Sequence, residues 1–180
     1  MMRDPARFHV LDATNIAGWS RARGSPRLAQ VLALCRWAQR IRPSDMAGRR
    51  PAFVAWFDAS LLGSLSRSSP RDAAVLQEVL RREPNCFKLA PSGFDGRREP
   101  IRADDFCLRE LTIDPHAVLV SSDRYRAEAA RNPELYGWVL EHPERLLPGQ
   151  VASNGDLLLG AHGEIHIPVV DDAGYYLTHL

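Results

Sequence analysis

The stretch Phe8-His9-Val10-Leu11-Asp12-Ala13-Thr14-Asn15 is a short run of strand-forming residues that stops abruptly at a carboxylate. A buried strand emptying into a loop has this pattern. The same grammar recurs downstream. Ala52 to Phe57 reads as a second buried strand ending at Asp58, Cys86 to Leu89 as a short third, and Ala117 to Val120 as a fourth that runs into Ser121-Ser122-Asp123. Helical periodicities separate them. Leu28, Val31, Leu32, Cys35 and Ala38 recur at helical spacing after Ser25-Pro26, where serine would cap and proline would take the first turn. That helix is expected to end near Ile41, before Pro43. Ser69-Pro70 opens a second helix carrying Ala73, Leu76, Val79 and Leu80, and a third starts near Ala103 and ends before Pro115. A small helix follows Asp123, and from Arg145 a fifth strand and a hairpin are expected, with turns at Asn154-Gly155 and His162-Gly163. Strands alternating with amphipathic helices imply crossover connections. The expected fold class is therefore α/β: a mostly parallel central sheet, helices on both faces and a C-terminal hairpin.

Bulk composition sets the frame. With 180 residues, 45% of them hydrophobic, one domain can bury a full core without disulfides. Cys35, Cys86 and Cys107 are odd in number and lie in apolar stretches, which fits a reducing compartment. Arg3, Asp4 and Pro5 interrupt any leader-like apolar run, and no stretch is long enough to span a bilayer, so a cytoplasmic location without membrane attachment is expected. The net charge of +1 decides nothing about nucleic acid, because phosphates feel local cations and not their sum.

In an open parallel sheet, loops leaving the carboxyl ends of the strands gather on one edge, and ligands bind where the strand order reverses. Asp12 ends the first strand and Asp123 follows the fourth, while Asp104 and Asp105 start the helix between them. Each has a plain structural explanation: Asp123 as a helix cap worth about 1 kcal/mol, Asp104 or Asp105 as partners of a helix dipole worth roughly 0.3–1 kcal/mol. Gathered together they need another account. Two carboxylates about 5 Å apart repel by roughly 3 kcal/mol at an effective dielectric near 20. A cation would offset that repulsion, and an all-oxygen donor set selects Mg²⁺ or Mn²⁺ over zinc.

The ordered motifs resemble a known family. Phe8 to Asn15 is similar to the "strand, Asp, x, x, Asn" opening of NYN domains in the PIN-like nuclease superfamily. Arg97-Arg98 followed by Ala103-Asp104-Asp105-Phe106, and Val118 to Arg126 with its Ser121, Asp123, Tyr125 and Arg126, resemble the basic loop, paired-Asp helix and "strand, Ser, x, Asp, x, Tyr, Arg" element of Regnase-type ribonucleases. Glu144-Arg145-Leu146-Leu147 and Leu159 to Gly163 resemble the closing part of that domain. The resemblance covers Phe8 to about Gly163, leaving 164–180 as an extension of a single 1–180 domain. It implies a three-layer PIN-like (Rossmann-like) fold, a metal held or surrounded by Asp12, Asp104, Asp105 and Asp123, and a supporting role for Asn15. The implied reaction is endonucleolytic cleavage of single-stranded RNA. Two positions depart from the pattern: Ala13 replaces a frequent glycine, and Ala127 stands where Regnase-type enzymes carry a further aspartate.

Other residues carry weaker expectations. Arg97, Arg98, Arg102 and Arg124 are candidates for RNA phosphates, with Arg21, Arg23 and Arg27 as a second track. Trp19, Tyr125 and Trp138 are candidates for stacking on unpaired bases, although such aromatics more often sit in cores. Asp58 is an outside candidate for the acidic site, since it also suits a cap. His162 and His166 have a zinc-like spacing but no cysteine pair, and Thr14 stands where an aspartyl phosphatase needs a second acid. The principal alternative is an RNA-binding or interaction module that keeps the fold with weakened turnover. The reading leaves room for a homodimer and for a protein inhibitor.

Overall fold

The apolar runs become strands. The computed structural model describes residues 7–19, 25–41, 51–96 and 100–180. In it, β1 (His9–Asp12), β2 (Phe53–Phe57), β3 (Phe87–Leu89), β4 (Val118–Val120) and β5 (Leu146–Leu147) form one parallel sheet in the order β3-β2-β1-β4-β5. Side chains alternate across it, as a pleated strand requires. Leu11, Phe53, Ala55, Phe57, Val118 and Val120 enter one buried cluster; Val10, Val54 and Leu119 enter another on the opposite face.

Helices cover both faces, giving a three-layer α/β arrangement. The first cluster is completed by α1 (Ala13–Ala17), α2 (Leu28–Ile41), α3 (Ala59–Ser68) and α4 (Pro70–Arg82). The second is completed by α5 (Ala103–Ile113), α6 (Arg126–Arg131), α7 (Pro133–Tyr136) and α8 (Trp138–Glu141). The change of face has a topological cause. Successive strands step outward from β1 to β3; the chain then returns through α5 on the other face to place β4 on the far side of β1. The strand order therefore reverses between β1 and β4.

Local chemistry explains most element ends. Ser69 Oγ accepts from Asp72 N at 3.4 Å and Pro70 takes the first helical position of α4, as the Ser-Pro pair predicts. Ser25-Pro26 does not act in this way. The chain is still leaving α1 there, with Arg27 N donating to Ala17 O at 2.9 Å, and α2 starts only at Leu28. Neither α1 nor α3 is expected from the sequence, because both follow an Asp that reads as the start of a loop.

The expected hairpin is a three-stranded antiparallel sheet, β6 (Gly149–Val151), β7 (Leu157–Leu159) and β8 (Ile165–Ile167). Gly155 and Gly163 turn the chain at φ of +92° and +70°, backbone that other residues rarely adopt. The segment 164–180 packs on the core: Ile167, with Ala173 and Tyr176 of α9 (Ala173–Tyr176), is buried in the first cluster. Among the described residues no helix is long and apolar enough to cross a membrane.

Candidate functional site

Asp12 and Asp123 meet at the reversal point. A cavity of about 470 Å³ opens there, lined by Asp12, Asp58, Asp104 and Asp123 together with Thr14, Asn15, Trp19, Ser122, Gly149 and Gln150 among others. Three of these carboxylates were expected together from the sequence, and the fourth is the outside candidate Asp58. No lysine or arginine occurs among the described residues that line the cavity.

Asp12 is buried at the end of β1 and is held from three directions. Asn15 N donates to Oδ1 at 3.2 Å, while Ser121 Oγ and Tyr125 Oη donate to Oδ2 at 3.0 and 2.6 Å. Tyr125 reaches this position from left-handed backbone, φ 51° and ψ 28°, which costs a non-glycine residue about 1–2 kcal/mol. A short bond to a buried carboxylate offsets that cost, since bonds to charged groups contribute about 1.5–3 kcal/mol. Ser121 also accepts from Asp123 N at 3.1 Å, and Asp123 Oδ1 accepts from Tyr125 N at 2.9 Å. Asp123 thus closes a tight turn ahead of α6 and does not cap that helix.

Asp58 links the second strand to α5. It stands at the start of α3 without capping it, and its Oδ1 accepts instead from Ala103 N at 2.7 Å, 45 residues away. The carboxylate therefore satisfies one of the free N–H groups at the start of α5. Thr14 ties the two strand ends together, because its Oγ1 accepts from Asp58 N at 2.8 Å. The sequence carried a partial signal for Asp58, which ends the second apolar run as Asp12 ends the first; the register of the sheet completes it. Asp12 pairs in register with Trp56, so an Asp two residues past Trp56 must emerge on the same edge.

Burial and like charge raise two of the acids. Burial pushes the Asp12 carboxyl up to about 6, and its three hydrogen bonds offset only part of this. Burial raises Asp104 to about 7, with Asp12, Asp58, Glu128 and Asp123 adding repulsion. Among the described residues the Asp104 carboxylate has no hydrogen-bond partner. Glu128, buried in α6 and paired with Arg131 at 3.3 Å, was not anticipated from the sequence.

The remaining expectations divide. Asp105 does not join the cavity. It lines a separate one of about 310 Å³ with Asp95, Phe106, Arg109, Glu128 and Arg131, because consecutive helical residues point about 100° apart. Asn15 supports Asp12 through its backbone only. Its side-chain Oδ1 accepts from Trp19 Nε1 at 2.7 Å, Ser122 N at 3.0 Å and Ser122 Oγ at 2.9 Å. Arg102 is exposed and lines an adjoining cavity of about 420 Å³ that shares Asp58 and Asp104 with the first. Arg124 is exposed beside Asp123 and lines none of the three cavities. Arg27 pairs with Asp171 at 2.6 Å, which gives it a structural partner in place of a phosphate. Arg21, Arg23, Arg97 and Arg98 lie outside the described residues.

Of the three aromatics, Trp19 alone lines the acidic cavity. Tyr125 is fully buried, and Trp138 packs on the second core with the Arg145 guanidinium 4.4 Å from its ring centre. Neither is placed to stack on a base. His166 pairs with Asp156 at 2.9 Å, and the nearby His162 N donates to Glu164 at 3.3 Å.

The donor set fits a hard divalent cation. It consists of carboxylate oxygens, two of them on acids whose proton affinity is raised chiefly by burial and secondarily by neighbouring carboxylates, a repulsion that a cation would offset. Among the described residues, no three acidic, imidazole or thiol side chains are already arranged as a ligand group. No protein-family model matches the chain, and no curated protein is significantly similar to it.

Proposed function

We propose that the chain is a metal-dependent endoribonuclease that cleaves single-stranded RNA at the cavity between β1 and β4. One observation carries the reading: Asp12, Asp58, Asp104 and Asp123 converge on a single cavity at the strand-order reversal, and no described lining residue compensates their charge. The resemblance of the ordered motifs to NYN domains of the Regnase type supports it, and supplies the substrate class. Mg²⁺ or Mn²⁺ would be held by Asp12, Asp104 and Asp123, with Asp58 taking the part expected of Asp105. When bound, such an ion supplies charge stabilisation at the phosphoryl oxygens and lowers the pKa of a water.

The chain's own groups then have defined tasks. Tyr125 and Ser121 fix the orientation of Asp12. Asp58 holds the start of α5, and with it Asp104, against β2. Arg102, which lines the adjoining cavity, would meet phosphate on one side of the acids, and Arg97, Arg98 and Arg124 would share this role. Three free cysteines accord with a cytoplasmic setting. A homodimer and a protein inhibitor remain compatible partners.

The test is cleavage of end-labelled single-stranded RNA in Mg²⁺, Mn²⁺ or EDTA, with Asp12→Asn and Asp123→Asn alongside. Internal cuts that require the metal and vanish in both variants are expected. Cutting in EDTA, or cutting that survives both substitutions, contradicts the proposal. A second reading, an RNA-binding module with weak turnover, is favoured by Ala127, which is exposed on α6 and supplies no carboxylate. Metal-independent RNA binding without cleavage is its signature.

A further inference from the structure

Trp19 is built into the acidic cavity as a fixed wall, and three separate contacts keep it there. Its Nε1 donates to Asn15 Oδ1 at 2.7 Å. The same oxygen accepts from the Ser122 backbone and hydroxyl, so the residue that orients the indole is itself anchored to the loop after β4. Beneath the ring lies Gly149, the first residue of β6, where a methyl group would collide with the Cη2 and Cζ3 carbons of Trp19. The glycine lets the indole lie directly on the backbone. Part of the ring packs against the first core cluster, and the rest lines the cavity with the carboxylates.

A half-buried indole has a simpler use as core filling, but three features go beyond that. Among the described residues the ring is the single large apolar surface in a cavity otherwise lined by acids, hydroxyls, an amide, a glutamine and glycines. Its hydrogen-bonding group is already satisfied, so what it offers a ligand is an apolar π surface. A rigid ring loses little conformational freedom on binding.

We infer that Trp19 is a stacking shelf for one unpaired nucleobase beside the scissile phosphate. This rests on the ribonuclease reading of the cavity and sharpens it: the substrate must present a base free of its pairing partner, which a continuous duplex does not. Arg102 borders the adjoining cavity, which shares Asp58 and Asp104 with this one. The strand therefore passes from the indole over the acids toward the arginine, with nucleotides on both sides of the cut. Trp19 is a positioning residue in this account and takes no part in the bond-breaking step.

The experiment compares wild type with Trp19→Phe, Trp19→Leu and Gly149→Ala, each checked for an unchanged circular dichroism spectrum. Two readouts are taken. One is affinity for a labelled single-stranded RNA in EDTA, using either the intact strand or a set carrying one abasic site at successive positions. The other is cleavage in Mn²⁺. Base–aromatic stacking predicts that Trp19→Leu weakens binding about tenfold, that Gly149→Ala weakens it in the same direction by displacing the ring, and that Trp19→Phe retains most of it. One abasic position should weaken wild-type binding about tenfold and leave Trp19→Leu indifferent, because the contact is already gone. If wild type cuts RNA in a metal-dependent way while Trp19→Leu keeps its affinity and its abasic sensitivity, the shelf is wrong and the nuclease reading stands. If wild type neither binds RNA nor cuts it in Mn²⁺, both fall.

Discussion

Asp104 and Asp105 are neighbours in the chain and occupy two different electrostatic worlds. Asp104 faces a cavity shared with three other aspartates and no described basic residue. Asp105 faces one where Arg109 and Arg131 stand among Asp95 and Glu128. Among the described residues, four aspartates and no cation line the cavity on one side of α5, whereas on the other side two arginines stand against three acids. The difference teaches that acidic content does not mark a site. What marks it is charge that the fold gathers and then leaves without a partner, because folding alone gives no reason to hold it there.

The largest expected effect separates these two residues by activity. Asp104→Asn should lower metal-dependent RNA cleavage roughly a hundredfold or more, since metal ligation is worth several kcal/mol in a transition state. Asp105→Asn should stay within about threefold in the same assay, as expected of a carboxylate outside the acidic cavity with two arginines beside it. Equal losses in the two variants would erase the distinction.

Next in size is the support of Asp12. Tyr125→Phe removes the hydroxyl donor at 2.6 Å and leaves a buried carboxylate under-satisfied. A cost of about 1–3 kcal/mol in denaturant unfolding is expected, together with weaker Mn²⁺ binding, because the Asp12 carboxyl then holds its proton to higher pH. Removing the hydroxyl of exposed Ser122 gives a comparison within the same loop, and its effect on stability should be smaller.

The pH response follows from the sign of the shifts. Asp12 and Asp104 have carboxyls raised from an ordinary 3.8 to about 6 and about 7. In metal-free buffer the folded chain then binds more protons than the unfolded chain between these values, so the contribution of both groups to stability declines as pH rises through that window. The melting temperature in EDTA should fall from pH 5 toward pH 8 for wild type. It should fall less for Asp104→Asn, while Asp105→Asn should follow wild type. Mn²⁺ competes with those protons and should stabilise more at pH 8 than at pH 5.5. A slope unchanged in Asp104→Asn would place the titration elsewhere.

The sequence made some of this legible and physics explains the remainder. Strand ends were readable because β1, β2 and β4 are buried on both faces and so appear as continuous apolar runs; the reversal between β1 and β4 put Asp12 and Asp123 together. Asp104 and Asp105 could not be told apart, since the phase of a helix depends on where its first turn begins. Asp58 was legible only as an outside candidate because its role was ambiguous: an Asp after a strand also suits a cap, yet this carboxylate bonds the start of α5. Ser121 and Tyr125 act on Asp12 through contacts more than a hundred positions apart, a proximity only the folded sheet creates. The three-residue strands of the C-terminal sheet were too short to carry a period.

The four aspartates are proposed to share a divalent cation. Anomalous scattering from a crystal soaked in Mn²⁺ tests it directly. A peak inside the cavity, within bonding reach of carboxylate oxygens from Asp12, Asp104 and Asp123 with Asp58 alongside, is the predicted result. Strong Mn²⁺ density only beside Asp105, or an empty cavity at millimolar Mn²⁺ and pH 8, would contradict the account.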